Sequence, residues 1–560
     1  MRPAVAIRAM LFLALACGLA LALRVARTEA QPGLELQFGP EVQLSTMGRD
    51  RDPNFDAEDP VAAYGHEAGV YLVVWRGDDS RDGDYEIYGQ LVDAETGLET
   101  GEDDVRLSVT GRSVPTRSGA RDPSVAYNPE ANEFLVVWSG DDIADDDFEI
   151  YGQRVDAATG QEVGEDDFQI SSTGKAMDPR GRASRPSVAF NQRDGEYLVV
   201  WEVRDESGET RISDVFGQRL DAATGAQVGE DDFQISHIGD QPEALHTVLD
   251  PAVAYNADDN QYLVAWISHV QTEGGASPGR LDQEPGIKWS TQHVVIDATG
   301  PATGEAASFE SPSAEWMGGT QARYHSGRGT YTVSYTEQGS TVHTIRIVRE
   351  IGREGGVTSV SELTDDRQGI DESTVDEHDI EIDLAESAAD SGGETYDASS
   401  ADRRLVVTRA VANEDHVFTL RQLLFTRTGD DSGWQGTPVH RQTVAADGGS
   451  GAMAPAHPRW QVLWPASPDG PEVQRLRWLT VYHKEVEEAE VYGVITTITR
   501  TVSAETPTPL TPPSPTSDAS ATATATAGGT TPSPGPTGTP TEPATAPFRL
   551  YLPSLETGER

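Results

Sequence analysis

The stretch that decides the fold reads Asp122-Pro-Ser-Val-Ala-Tyr127 and, a few residues later, Phe134-Leu-Val-Val-Trp138. The same pair of segments occurs at three other places, where it ends in Trp75, Trp201 and Trp266. Successive tryptophans are 63, 63 and 65 residues apart. So regular a spacing predicts a repeat protein in which copies of one unit stack against each other.

Each unit contains four short segments with the composition of β-strands. In the first unit these are Val61 to Tyr64, Tyr71 to Trp75, Tyr85 to Val92 and Val105 to Ser108. Between the third and fourth segments, Asp93-Ala-Glu-Thr-Gly97 has the aspartate and glycine that favour a hairpin turn. The second segment is apolar on both faces, which indicates a sheet packed between two neighbouring sheets.

Four antiparallel strands per unit make one blade of a β-propeller. A row of separate β-sandwich domains is the competing architecture, but a period of 63 residues is short for a sandwich of seven strands. Three later units are more divergent, and their second strands are expected at Thr330 to Tyr335, Arg404 to Thr408 and Trp478 to Tyr482.

The two ends of the repeat region complement each other. The seventh unit stops near Val502 after three strands, whereas Gly39-Pro-Glu-Val-Gln-Leu-Ser45 resembles the fourth-strand segment Asp167-Phe-Gln-Ile-Ser171. We therefore predict an all-β fold, a β-propeller of about seven four-stranded blades that is closed by an N-terminal strand in the last blade. Such closure leaves no free sheet edge for aggregation.

The repeated segments are similar to those of secreted bacterial β-propeller repeat proteins. The segments that carry the resemblance are Asp122 to Tyr127, Tyr71 to Trp75 and Ile87-Tyr-Gly-Gln90. The resemblance covers roughly residues 34 to 503 and implies the fold, but it implies no particular chemistry.

The N-terminal residues 1–30 have the features of a signal peptide. Arg2 and Arg8 precede an apolar run from Met10 to Leu23, and Thr28-Glu29-Ala30 offers a cleavage site. The run is shorter than the roughly 20 residues that span a bilayer. An uncleaved anchor and a lipoprotein modified at Cys17 are the alternatives. We expect an exported protein, extracellular or associated with the cell surface, with no transmembrane span in the mature chain.

The C-terminal region has a different composition from the repeats. Residues 504–547 are rich in Thr and Pro, which predicts a disordered stalk. Residues 548–560 begin with the apolar segment Phe548 to Leu555, which is interpreted as a short retention or docking tag, or as a sticky disordered end.

Charge limits the partners that this chain can have. It carries 92 acidic and 42 basic residues, a formal net charge of −50. Nucleic acids and anionic membranes need basic surfaces, so neither is expected as a partner. A single cysteine excludes a disulfide within the chain. We expect a monomer that meets an unidentified protein or carbohydrate at the cell surface.

Acidic loops follow the second strands and are candidates for calcium binding. The first, Asp78-Asp-Ser-Arg-Asp-Gly-Asp84, alternates oxygen-bearing side chains ahead of a glycine, as calcium loops do. The alternative is a solvated acidic hairpin loop without a metal. The candidate ligands in the first two units are Asp78, Ser80, Asp82, Asp84, Asp141, Asp145 and Asp147.

Other repeated residues are interpreted as structural. The periodic tryptophans fit a buried core, and the Gly-Glu-Asp-Asp motif at 101–104, 164–167 and 229–232 fits a repeated structural turn of the unit. Tryptophans outside the repeat are better candidates for exposed ligand contacts; these are Trp289, Trp316, Trp434, Trp460 and Trp464.

The sequence gives little support for catalysis. It lacks the Ser-x-Asp-x-Gly-x-x-Trp box of sialidase-like propellers, a Gly-x-Ser-x-Gly elbow and a His-Glu-x-x-His motif. No catalytic or cofactor-binding residue can be named. The expected function is a non-catalytic binding, scaffold or adhesion protein. The alternative is an extracellular polysaccharide hydrolase or lyase, with loops from the divergent region Ser268 to Glu315.

Overall fold

We describe the protein from a computed structural model. The structure describes residues 34–47, 55–78, 85–109, 119–141, 148–172, 182–205, 212–237, 244–272, 287–298, 306–311, 314–325, 329–339, 344–363, 382–387, 403–412, 418–427, 440–445, 451–454, 461–463, 472–485 and 489–502. The predicted signal peptide, stalk and C-terminal tag lie outside these residues. The described part of the chain contains no helix long and apolar enough to cross a membrane.

In the described residues, twenty-nine β-strands form seven antiparallel sheets. The N-terminal strand is β1 (Leu34–Gln43). Blade 1 comprises β2 (Ala57–Gly65), β3 (Val70–Gly77), β4 (Glu86–Asp93) and β5 (Glu99–Arg106). Blade 2 comprises β6 (Arg121–Asn128), β7 (Glu133–Gly140), β8 (Glu149–Asp156) and β9 (Glu162–Gln169). Blade 3 comprises β10 (Arg182–Asn191), β11 (Glu196–Asp205), β12 (Ile212–Asp221) and β13 (Gln227–Gln234).

The later blades continue the same order. Blade 4 comprises β14 (Ala244–Asn256), β15 (Gln261–Thr272), β16 (Ile287–Asp297) and β17 (Ala307–Ser311). Blade 5 comprises β18 (Ala314–His325), β19 (Thr330–Gly339), β20 (Thr344–Gly352) and β21 (Val357–Leu363). Blade 6 comprises β22 (Ile382–Ser387), β23 (Arg403–Ala412), β24 (Phe418–Arg427) and β25 (His440–Ala445). The last strands are β26 (Gly451–Ala454), β27 (Gln461–Leu463), β28 (Glu472–Glu485) and β29 (Ala489–Val502).

The sheets are arranged as a closed ring. The first strand of each blade is the neighbour of the first strand of the next, in the order β2, β6, β10, β14, β18, β22 and β26, and β26 is in turn the neighbour of β2. These seven strands are therefore the innermost ones, as in a seven-bladed propeller. The predicted β-propeller fold is confirmed.

The N-terminal strand completes blade 7, as predicted. The order of this sheet is β1-β29-β28-β26, with β27 also paired to β28, and β1 runs antiparallel to β29. Just after β1, the Ser45 hydroxyl donates to the Glu490 carboxylate and accepts the Val491 N–H at 2.8 Å. In blade 1, Ser108 makes the same two contacts with Glu86 and Ile87. The N-terminal segment thus takes the place of a blade's own fourth strand.

The core lies between blades and is built by the second strands. On β3, Tyr71, Val73 and Trp75 pack against blade 7, whereas Leu72 and Val74 pack against blade 2. Because alternate residues of a strand point to opposite faces, one apolar run serves two interfaces. All four periodic tryptophans have no exposed surface, which confirms their expected place in the core.

The Gly-Glu-Asp-Asp motif lies within the fourth strands instead of in a separate turn. These strands begin earlier than predicted, and the motif forms a bulge opposite Gln90 in blade 1. The Gln90 amide donates to the Thr100 carbonyl at 3.1 Å and accepts the Asp104 N–H at 3.0 Å. Gln153 and Gln218 fill the equivalent bulges of blades 2 and 3.

In blades 1 to 3, the last aspartate of this motif connects the blade to the preceding one. Asp104 accepts the Thr46 N–H at 2.9 Å, from the segment that follows β1. Asp167 accepts the Val109 N–H at 2.5 Å, and Asp232 accepts the Ser172 N–H at 2.7 Å. The structural role predicted for the motif is confirmed, and its task is to hold adjacent blades together.

Candidate functional site

One position of the repeat has an unusual backbone in five consecutive blades. Near the start of the innermost strand, φ is +51° at Asp59, +54° at Asp122, +51° at Arg185 and +49° at Asp250, and +65° at Gly319 in blade 5. Each of these residues lies in a β-bulge between the first and second strands. A left-handed conformation costs a non-glycine residue about 1–2 kcal/mol. The surrounding sheet must therefore hold these side chains in place.

We call the four side chains of Asp59, Asp122, Arg185 and Asp250 the axial belt, and the end of the ring where they lie the upper mouth. The belt connects neighbouring blades. Arg185 Nε lies 3.3 Å from Asp250 Oδ1, and Asp250 Oδ2 accepts the Gly319 N–H at 3.0 Å. These side chains are 27–42% exposed, so they are available to a ligand at the centre of the ring.

Blades 1 and 3 use opposite charges at matching positions. In blade 1, Arg76 follows the core tryptophan, and its Nε lies 2.9 Å from Asp59 Oδ2. In blade 3, Glu202 follows the core tryptophan and pairs with Arg185, Nη1 to Oε1, at 3.2 Å. Glu202 is only 1% exposed and accepts a second arginine, Arg204, at 2.9 Å. The reversal keeps an arginine opposite a carboxylate in both blades.

The surroundings of Asp59 shift the pKa of its carboxyl. Burial raises the pKa of the Asp59 carboxyl, and the negative charges of Asp122 and Glu58 act in the same direction. Arg76 and, more weakly, His483 of blade 7 oppose this rise in pKa. Two carboxyls on adjacent innermost strands are thus close enough to influence each other.

Arginines gather beside the belt in blades 2 and 3. The Arg121 guanidinium lies over the Phe148 ring, with Cζ 3.8 Å from the ring centroid, and Arg182 Cζ lies 5.6 Å from the same centroid. Burial lowers the pKa of Arg121, and the nearby charges of Arg182 and Arg185 lower it further, against the opposing effect of Asp122. Positive charge is therefore concentrated here although the chain as a whole is acidic.

Two of the seven residues predicted as calcium ligands lie in the described part of the chain. Asp78 is 1% exposed and Asp141 is fully buried, each directly after a second strand. Asp78 Oδ1 accepts the Asp56 N–H at 2.6 Å, so Asp78 also ties β3 to the start of the innermost strand. The other five predicted ligands, Ser80, Asp82, Asp84, Asp145 and Asp147, lie outside the described residues. Among the described residues, no three His, Cys, Asp or Glu side chains form a group that could hold a metal.

The prediction that Trp289 is an exposed ligand contact is wrong. Trp289 is 7% exposed and packs in the core with Ile267 and Met317. Its ring centroid lies 4.9 Å from that of His269 on the paired strand. The side chain of Trp316 and the other three non-repeat tryptophans lie outside the described part of the structure.

Sequence reasoning missed the axial belt. Its signal was the residue that precedes proline in Asp59-Pro60, Asp122-Pro123, Arg185-Pro186 and Asp250-Pro251. At the third of these positions the chain has Arg185 where the other three units have aspartate, so the sign of the side-chain charge is reversed there. Neither the positive φ nor the contact between blades can be deduced from one unit, because both depend on the neighbouring blade.

Comparisons with known proteins find similarity in solved structures only. No family model matches this chain, and no curated protein matches it. An α-L-arabinofuranosidase of Fusarium graminearum in complex with arabinobiose aligns with a TM-score of 0.37 at 11% identity, over 82% of this chain and 97% of that one. A sialidase of Trypanosoma rangeli in complex with sialic acid aligns with a TM-score of 0.37 at 10% identity, over 83% and 59% of the two chains. The propeller of Dos1 aligns with a TM-score of 0.35 at 8% identity, over 83% and 94%. The assignment of a propeller rests on the strand order and ring closure described above.

Proposed function

We propose that this chain binds a saccharide at the upper mouth, and that Asp59 and Asp122 act there on a glycosidic bond, as in an extracellular polysaccharide hydrolase. The observation that carries this proposal is the pair of carboxyls on neighbouring innermost strands. Desolvation by the surrounding protein raises the pKa of Asp59, and Asp122 lies near Arg121, with 3.8 Å between Asp122 Oδ2 and Arg121 Nε. Glycoside hydrolysis requires one protonated and one ionised carboxyl.

The roles follow from the surroundings of each group. Asp59, in its protonated form, would donate a proton to the departing sugar oxygen. Asp122 would accept a proton from water or attack the anomeric carbon. The left-handed backbone at both positions fixes where the carboxyls lie, and strained backbone of this kind is concentrated at functional sites in proteins.

A second candidate is binding without catalysis, the role of a scaffold or adhesion protein. The observation that favours it is the ion pair of 2.9 Å between Arg76 Nε and Asp59 Oδ2, which stabilises the charged form of Asp59 and so opposes its action as an acid. In that case the belt is a rigid polar surface that only recognises the ligand. Export to the cell surface belongs to both candidates and is supported by residues 1–30 of the sequence.

The experiment is to measure release of reducing sugars, and binding, over a broad panel of polysaccharides. We expect Asp59→Asn and Asp122→Asn to lower turnover by about 10²–10⁴ while binding persists. Glu130→Gln, an exposed carboxyl in the turn at the opposite end of the ring, is the matched control and should keep full activity.

The outcomes separate the two candidates. Binding without any release of sugar by the unaltered protein supports the scaffold role and excludes hydrolysis. Activity that survives in both aspartate variants contradicts the assignment of the pair. A chain that neither binds nor cleaves any member of the panel contradicts both candidates.

A further inference from the structure

We infer that the saccharide recognised at the upper mouth carries a carboxylate, and that Arg121, with Arg182 and Arg185 beside it, is its binding site. This inference rests on the proposed function, because it names the chemical class of ligand for the same site.

The geometry of Arg121 points to a group that is not yet supplied by the protein. Its Nε lies 3.8 Å from Asp122 Oδ2, too far for a hydrogen bond. This Nε has no hydrogen-bond partner among the described residues although it is shielded from solvent. The side chain as a whole is 30% exposed, so a ligand would reach its outer Nη groups and not the shielded Nε.

Phe148 fixes the plane of this guanidinium. The ring is 4% exposed and lies directly under Arg121, with 3.8 Å between Cζ and the ring centroid. A guanidinium stacked on an aromatic ring keeps its N–H groups free at the edge, in the fork that matches the two oxygens of a carboxylate. Arg121 is therefore oriented for a ligand before the ligand arrives.

The local balance of charge favours an anion. Arg182 and Arg185 both act on Arg121 as like charges, and Asp122 is the carboxylate that acts against them. Arg185 is itself occupied by Glu202 and Asp250, and Arg204 by Glu202. An added carboxylate would relieve the mutual repulsion of the arginines at this point.

The charge of the whole chain limits the size of the anion. At −50, the protein repels a polyanion at distances beyond direct contact. A single acidic sugar at the end of a glycan feels mainly the nearby arginines, because more distant charges are screened at physiological salt. The site therefore suits one acidic residue better than a long acidic stretch.

The test uses calorimetric titration of the full chain with neutral trisaccharides that end in one galacturonic, glucuronic or mannuronic acid, each compared with its methyl ester. We expect one acid to bind at least about tenfold more tightly than its ester, the difference that a charge-assisted bidentate pair supplies. Arg121→Gln should remove this preference and leave binding of the ester unchanged. Arg193→Gln makes the same change of charge in an exposed turn at the other end of the ring, and should retain the preference.

The possible results are distinct. Equal binding of acid and ester by the unaltered protein overturns this inference and leaves the saccharide site intact. If every acid and ester fails to bind while a neutral saccharide of the panel still binds, the inference alone is overturned. If no saccharide binds, acidic or neutral, both the inference and the proposed function are overturned. If Arg121→Gln does not fold, Arg182→Gln replaces it, and a preference for the acid that survives the replacement overturns the assignment to these arginines.

Discussion

Substitution of Ser45 by alanine tests how the ring is closed. The hydroxyl of Ser45 donates to one oxygen of Glu490 and accepts the Val491 N–H, and all three groups are buried. Each buried group that is left without a partner costs about 1–3 kcal/mol. The other Glu490 oxygen keeps the Met47 N–H at 3.0 Å, so we expect a loss of about 3 kcal/mol in the free energy of unfolding. That is a large fraction of the usual stability of about 5–15 kcal/mol.

The assay combines urea denaturation with hydrogen exchange of the β1 amides. Ser108→Ala is the matched control, because Ser108 makes the same contacts with Glu86 and Ile87 in blade 1. There the fourth strand is joined to the third by a short turn, whereas β1 is remote in sequence from β29. We expect similar losses of stability, but faster exchange in β1 only for Ser45→Ala. A loss below about 0.5 kcal/mol, or unchanged exchange in β1, would refute this account of ring closure.

The remaining predictions concern charge, pH and calcium. Arg185→Asp leaves the buried Glu202 beside a new like charge and should cost about 2 kcal/mol. The double variant with Glu202→Gln removes this like-charge pair and should recover part of that loss; a double-mutant cycle in urea measures the coupling. Burial raises the pKa of Asp167 to about 7, so the folded protein binds more protons than the unfolded chain between about pH 4 and pH 7, and stability falls as pH rises through that window. Asp167→Asn should therefore stabilise the protein by about 2 kcal/mol above pH 7 and leave it unchanged near pH 4, as denaturation at both pH values would show. We also propose that the acidic loops bind calcium: adding calcium to the chelator-treated protein should raise the melting temperature, and the double variant Asp82→Asn with Asp84→Asn should remove the rise, while an equal midpoint with calcium and with chelator would contradict the proposal.

The blade pattern follows from sequence alone because it is local. A strand that is apolar on both faces and recurs with a period of 63 residues is enough to indicate a sheet between two sheets. The match between Gly39 to Ser45 and the later fourth strands likewise predicted the pairing of β1 with β29, since a blade lacking one strand must find it elsewhere. Trp75 and its counterparts were assigned to the core by the same reasoning.

The length of the strands in blade 4 explains why Trp289 is buried. The first three strands of blade 4 have 13, 12 and 11 residues, against 9, 8 and 8 in blade 1. This extension places Trp289 opposite His269 in a strand pair, where it is covered by blade 5 residues such as Met317. Because Trp289 lies outside the repeat pattern, the sequence suggested that its side chain is exposed. In the structure, the extended strands of blade 4 pack against blade 5 and bury it.

Only the tertiary structure brings the residues of the candidate site together. Asp59, Asp122, Arg185 and Asp250 are separated by more than sixty residues each, and they interact only because closure of the ring places the innermost strands side by side. The same holds for Arg121 and Arg182, which share Phe148 across two blades. Strand patterns are short-range properties that can be recognised directly in the sequence, whereas the charge and exposure of a site depend on which blades become neighbours.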